Sequence, residues 1–144
     1  MFLASFLEEK RKKMASMNTI SAKDFRDFAS KISIGIQGKF NKKEYRWEVG
    51  INDGAFSLLC KVEREKLPRA SQLKLGALSK ERDIGLARVE VFLQGDKLTI
   101  IIDRFDWGKK DYAIQVDRKE LSAKQLPEKL LILNYISGVL KKFI

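Results

Sequence analysis

The sequence predicts an α+β fold with an N-terminal helical segment, a curved antiparallel β-sheet of about six to seven strands in two meanders, and a long apolar C-terminal helix. Three observations lead to this prediction. The apolar spacing changes from a helical period to a period of two near residue 32. Turn sequences (NDG at 52–54, QGD at 94–96, DWGKK at 106–110) separate the alternating runs. The last apolar run, LLILNYISGVL, covers most of a helix circumference.

We expect a single domain over 1–144, divided into a helical segment at 1–31, the sheet at 32–117 and the C-terminal helix at 118–144. Two helical stretches are predicted before residue 32. The first has apolar residues at Phe2, Leu3, Phe6 and Leu7. In the second, Ser21 is a suitable N-cap, and Phe25 and Phe28 begin an apolar stripe.

The first meander is predicted from three alternating runs within 32–64. Ile32, Ile34 and Ile36 begin it, Tyr45 to Ile51 continue it, and Phe56 to Val62 complete it. NDG predicts a tight hairpin that needs positive backbone φ. The second meander uses the runs that start near Ala87, Lys97 and Tyr112, whereas residues 65–85 are ambiguous. Pro127 lies near the start of the predicted C-terminal helix, where proline is tolerated.

The composition favours a binding protein over an enzyme. The formal charge is +10, from 29 Lys and Arg against 19 Asp and Glu, which favours polyanionic partners. The chain has no histidine, and Cys60 is its single cysteine, in register with apolar residues as a buried structural residue would be. We therefore expect no catalytic activity, no metal or other cofactor, and a reducing, cytoplasmic location. No apolar run is long enough to cross a bilayer.

Basic and aromatic residues are combined in two turn regions, a pattern typical of single-stranded nucleic-acid binding. Lysine and arginine neutralise phosphates, and exposed rings stack on unpaired bases. The candidate binding residues are Lys39, Phe40, Lys42, Lys43, Tyr45, Arg46, Trp107, Lys109 and Lys110. Trp47 is in register with Val49 and Ile51, which favours the core for it. The prediction is a protein that binds single-stranded DNA or RNA with little sequence specificity.

A second interpretation comes from FNKKEYRWEVGINDG, residues 40–54. This stretch is similar to the basic first hairpin of pleckstrin-homology domains, whose element order is two meanders followed by a C-terminal helix. The resemblance implies a module that binds anionic lipid headgroups, and an acidic protein partner is also possible for such a surface.

A third interpretation is a magnesium-dependent nuclease. Asp96 precedes one strand, and Asp117 and Lys119 lie at the end of its predicted hairpin partner. If these two acids meet across the strands, they can hold Mg²⁺ and activate water. The strongly apolar C-terminal helix separately suggests a homodimer formed through that helix.

Overall fold

The computed structural model describes residues 20–67, 69, 83–105 and 113–144, which contain two helices and one antiparallel sheet. In chain order the elements are α1 (Ala22–Lys39), β1 (Tyr45–Ile51), β2 (Ala55–Glu63), a 3₁₀ turn (Arg64–Lys66), β3 (Asp83–Gln94), β4 (Lys97–Phe105), β5 (Ala113–Ser122) and α2 (Lys129–Leu140). The predicted helix at the beginning of the chain lies outside the described residues. No helix in the described ranges is long and apolar enough to span a membrane.

The predicted sheet of six to seven strands is wrong, because the described strands number five and form one sheet in the order β1-β2-β3-β4-β5. Residues 32–36, predicted as the first strand, belong to α1. Ile32 and Ile36 are buried on the same face as Phe25 and Phe28, whereas Ile34 is 65% exposed. The spacing of the buried residues is therefore helical, and the alternation of isoleucines concealed it. The Ser21 hydroxyl caps α1 as predicted, by accepting a hydrogen bond from the Asp24 N–H at 3.0 Å.

The predicted long C-terminal helix is also wrong, since α2 has only 12 residues. Its predicted first part, residues 118–122, instead continues β5. Arg118 pairs with Ile101 and Lys119 with Ile100 of the central apolar strand β4. Pairing with this buried strand overrides the helical propensity of RKEL. The helix begins only after Pro127.

The sheet is a continuous meander, so the two-meander order behind the resemblance to pleckstrin-homology domains is not found among the described strands. The β1–β2 hairpin turns at 52–54, as NDG predicts. Its mechanism differs from the prediction, because positive φ occurs only at Gly95 within the described residues. The Asn52 side chain instead accepts hydrogen bonds from the N–H groups of Gly54 and Ala55, at 3.2 and 2.9 Å.

Both helices pack on one face of the sheet and enclose the core. The core side chains of the helices are Phe25, Phe28, Ile32, Ile36, Ile132, Ile136 and Leu140, and those of the sheet are Phe56, Leu58, Cys60, Val89, Val91, Leu98, Ile100 and Ile102. The helices run in the same direction, since Gly35 lies against Leu133 and Lys39 reaches Asn134 at 3.4 Å. The opposite face of the sheet, which we call the outer face, carries most of the charged side chains of the strands.

Candidate nucleic-acid interface

Five lysines from three separate parts of the chain line two adjoining grooves at one end of the sheet. One groove has a volume of about 390 Å³ and the other about 380 Å³, and both are lined by Glu44 and Lys66. We call the two together the basic groove, defined by Lys42, Lys43, Lys66, Lys141 and Lys142. Lys42 and Lys43 precede β1, Lys66 ends the 3₁₀ turn after β2, and the last two follow α2.

Short-range hydrogen bonds hold these three segments together. The Tyr45 backbone N–H donates to the Lys42 carbonyl at 2.9 Å and closes the turn before β1. The Tyr45 hydroxyl donates to the Ile144 carbonyl at 3.0 Å, which fixes the turn after α2 beside β1. Because Leu67 is buried beside Val62 and Ile84, the preceding Lys66 is held at the groove. These hydrogen bonds and the burial of Leu67 therefore hold the five lysines close together.

The charges of the basic groove are largely uncompensated. Within the described ranges, none of its five lysines has an ion pair with a carboxylate, and all five are exposed. Lys42 lies over the Tyr45 ring, with Nζ 5.5 Å from the centroid. Tyr45 and Phe143 are half-buried and also line the groove. The site thus combines positive charge with accessible ring edges, which suits phosphates and unpaired bases.

The outer face of the sheet differs from the groove because its basic residues are paired with acids. The pairs are Arg46–Glu63, Lys61–Glu48, Arg88–Glu90, Arg88–Asp103, Lys97–Glu120 and Arg118–Glu120. The hydrogen bond from Arg118, with Lys97 nearby, lowers the pKa of Glu120 from its usual value. Since each of these cations already has a carboxylate partner, an interface at the end of the sheet is favoured over one on its outer face.

The structure separates the predicted site residues into three groups. Lys42, Lys43 and Tyr45 lie at the basic groove, together with Arg46, whose charge is paired with Glu63. Phe40 is only 8% exposed and caps α1, so we remove it from the proposed interface. Lys39 is exposed on α1 and points to Asn134 rather than to the groove. The remaining three, Trp107, Lys109 and Lys110, lie outside the described residues.

Trp47 packs against the core, as predicted, and its indole N–H donates to the Phe40 carbonyl at 3.0 Å.

Sequence reasoning missed Lys66, Lys141 and Lys142 as site residues. Only the charge of the C-terminal segment could have indicated Lys141 and Lys142, since residues 118–144 contain six basic and two acidic side chains. Nothing local indicates that this segment meets the turn before β1, because the contact joins residues 99 positions apart.

The two acids of the nuclease hypothesis do not meet. The Asp96 carbonyl accepts a hydrogen bond from the Ala123 N–H, whereas Asp117 pairs with Ile102. Six residues of extended chain separate Asp117 from Ala123, or about 20 Å at ~3.3 Å per residue. Lys119 instead lies over the Tyr135 ring, 4.7 Å from its centroid. Burial and the nearby Asp117 carboxylate raise the pKa of Tyr135. Among the described residues, the buried Tyr135 hydroxyl has no aligned hydrogen-bond partner.

Cys60 is fully buried among the core residues of β2, and burial raises the pKa of its thiol to about 12. We expect its reaction with a thiol reagent at pH 8 to be at least about a thousandfold slower in the native protein than in denaturant, since far less thiolate is present. Reaction kinetics with Ellman's reagent measure this directly. Equal rates in the two conditions would contradict the burial of Cys60.

The described residues contain no group of three or more metal-ligating side chains. The candidate site in the described part of the chain is the basic groove, with lysines that have no acidic partner there and with two half-buried rings. A scan against models of known families, a search of curated proteins and a search of solved structures each found no match to this chain.

Proposed function

We propose that the protein is a non-catalytic nucleic-acid-binding protein that holds the phosphate backbone of a single strand in the basic groove. The observation that carries the proposal is the convergence on one groove of five lysines that have no carboxylate partner among the described residues. Lysines that come together at a cost in mutual repulsion favour a polyanionic ligand, which neutralises several of them at once.

The rings at the groove favour a single strand over a duplex. Tyr45 and Phe143 are half-buried and lie beside Lys42 and Lys142. A base that leaves its stack gains ~1–3 kcal/mol by stacking on an aromatic ring, and this gain depends little on its identity. Point charges and ring stacking carry little sequence information, so we infer weak sequence specificity.

Two triple variants with the same net charge test the proposal. Lys42→Gln, Lys66→Gln and Lys142→Gln together remove three groove charges. The matched control, Lys61→Gln, Lys97→Gln and Arg118→Gln, removes three paired charges of the sheet from the same total of +10. We expect the groove variant to bind fluorescent oligo-dT and oligo-U at least tenfold more weakly at low salt, whereas the control keeps nearly full affinity.

The salt dependence of oligonucleotide binding gives a second test of the groove. Each lost phosphate contact lowers the slope of log K against log salt by about 0.7 for a single strand, so the groove variant should lose ~2 from the slope between about 50 and 200 mM salt. Equal weakening by both triple variants would show that only net charge matters and would overturn the groove as the site. No binding of any oligonucleotide by the wild type at low salt would overturn the function itself.

The lipid interpretation predicts a different result in the same assay. A lipid-binding groove prefers vesicles with phosphoinositides over oligonucleotides at equal salt, and Tyr45→Leu leaves that binding unchanged. If the protein binds nucleic acid, Tyr45→Leu should weaken oligonucleotide binding through lost stacking. Tyr45→Phe is the matched control, because it keeps the ring and removes only the hydrogen bond to Ile144.

A further inference from the structure

Glu44 places a carboxylate in the basic groove. The two adjoining grooves are both lined by Glu44 and Lys66, so these two side chains lie where one groove meets the other. Glu63 is the other acid of the lining, and its carboxylate is paired with Arg46. Glu44 is half-buried, and no ion pair joins it to a cation in the part of the chain that the structure describes. The groove therefore holds an acid that no described lysine pairs with.

The turn before β1 fixes the position of Glu44. The hydrogen bond from the Tyr45 N–H to the Lys42 carbonyl, at 2.9 Å, closes this turn around Glu44. Lys42 and Tyr45 line one of the two grooves, whereas Lys43 lines the other. In a nucleotide the sugar joins the phosphate to the base. A nucleotide with its phosphate at these lysines and its base on the Tyr45 ring therefore brings its sugar to the turn that carries Glu44.

A carboxylate in a phosphate-binding groove weakens binding unless the ligand offers it a hydrogen-bond donor. Glu44 repels each phosphate that enters the groove, which lowers the affinity for every polyanion. An ionised carboxylate accepts hydrogen bonds but donates none. The phosphodiesters and deoxyriboses within a DNA strand carry only acceptors, whereas ribose carries a 2′-hydroxyl donor at every nucleotide. The backbone donor that suits Glu44 is therefore found in RNA alone.

Donors on the bases are a poorer match for Glu44. They differ from one base to the next, so a carboxylate that bound them would make the groove select a sequence. The rest of the groove consists of point charges and ring edges, which carry little sequence information. A contact to the sugar keeps the recognition independent of sequence, as the other contacts are.

We propose that Glu44 accepts a hydrogen bond from a ribose 2′-hydroxyl and thereby makes single-stranded RNA, rather than DNA, the preferred ligand of the basic groove. This inference rests on the nucleic-acid-binding function proposed above. A hydrogen bond to a carboxylate is about twice as strong as one between neutral groups, and it offsets the repulsion of the nearby phosphates. DNA meets the same repulsion without this bond. Glu44 therefore both favours RNA and disfavours DNA.

Three uridine oligomers of equal length measure the preference. Oligo-U carries the 2′-hydroxyl, oligo-dU lacks it, and 2′-O-methyl oligo-U keeps the oxygen but not the donor. At the same low salt concentration, we expect the wild type to bind oligo-U about tenfold more tightly than either of the others. Equal affinity for oligo-U and oligo-dU, or for oligo-U and its 2′-O-methyl form, would overturn the role of Glu44 and leave the proposed function intact. A wild type that binds none of the three would overturn the function itself.

Glu44→Ala tests whether this carboxylate is the group responsible. The variant should bind oligo-dU more tightly than the wild type does, because the repulsion is removed, and should bind all three oligomers within about twofold of one another. Glu63→Ala is the matched control, because it removes the same charge from the same groove at an acid paired with Arg46. It should keep the preference for oligo-U. If Glu44→Ala changes the affinities for oligo-U and oligo-dU by the same factor, Glu44 acts through its charge alone or contacts the base, and the proposal is wrong.

Discussion

Replacing Arg88 by methionine is expected to lower the free energy of unfolding by about 2–3 kcal/mol, because it leaves a buried carboxylate without its partner. Asp103 is only 5% exposed, and Arg88 is its only hydrogen-bonding partner among the described residues. Two guanidinium N–H groups donate to Asp103 Oδ2, at 3.1 and 2.8 Å. Methionine keeps the aliphatic stem on the sheet but cannot donate. Because Arg88 itself is 38% exposed, water screens the ion pair and reduces the expected loss in the free energy of unfolding.

Chemical denaturation of matched variants measures this effect. Arg118→Met removes an exposed pair from the same face, with side chains 50% and 44% exposed, and should change the stability by less than about 0.5 kcal/mol. The double variant Arg88→Met, Asp103→Leu should recover most of the stability, since no buried carboxylate is then left without a partner. If Arg88→Met and Arg118→Met have equal effects, the Asp103 carboxylate is hydrated and the pair is not a buried one.

Replacing Gly35 by leucine is expected to lower the free energy of unfolding by about 2 kcal/mol, because the backbone of α1 lies directly against Leu133 of α2 there. A Cβ added at Gly35 would lie 2.8 and 2.9 Å from the two methyl groups of Leu133. These contacts are too short, and a full leucine side chain would force the helices apart or displace Leu133. Thermal unfolding of dilute protein should show a decrease in Tm of ~6–8 °C.

Gly38 provides the control for this variant on the same helix. A Cβ there meets no atom within 4 Å, so Gly38→Leu should instead stabilise α1 by up to ~1 kcal/mol through helix propensity. In the double variant Gly35→Leu, Leu133→Ala, the leucine moves from α2 to α1 and the volume is conserved, so most of the stability should return. A stable Gly35→Leu single variant would show that the helices are loosely packed.

Local chemistry made parts of the fold predictable. Ser21 was identified as an N-cap because serine is among the preferred N-cap residues, and its hydroxyl accepts a hydrogen bond from the Asp24 N–H. Cys60 was placed in the core because its strand alternates strictly, and it is fully buried. The NDG hairpin was found at the right position, although Asn52 closes it by a side-chain mechanism instead of positive φ.

The wrong predictions arose where the spacing of apolar residues fits two periods, or where contacting residues are far apart in the sequence. Ile32 and Ile36 satisfy both a period of two and a period of four, and only the exposure of Ile34 distinguishes them. The RKEL stretch has helical propensity, and only pairing with β4 makes it a strand. Only part of the basic groove was predicted. Lys42 and Lys43 were named because they are neighbours in the sequence, whereas Lys141 joins them only through tertiary contacts.

The pairing of α1 with α2 has a consequence for how the chain folds. Lys39 and Asn134, which contact each other across the helix pair, are 95 positions apart. Closing so long a segment has a large entropic cost and slows folding. During synthesis α1 leaves the ribosome long before α2 is made. The apolar residues of α1 therefore lack their contacts with α2 while the strands form the sheet. A nascent chain that ends before residue 129 therefore exposes these apolar residues to chaperones until α2 is made and packs beside them.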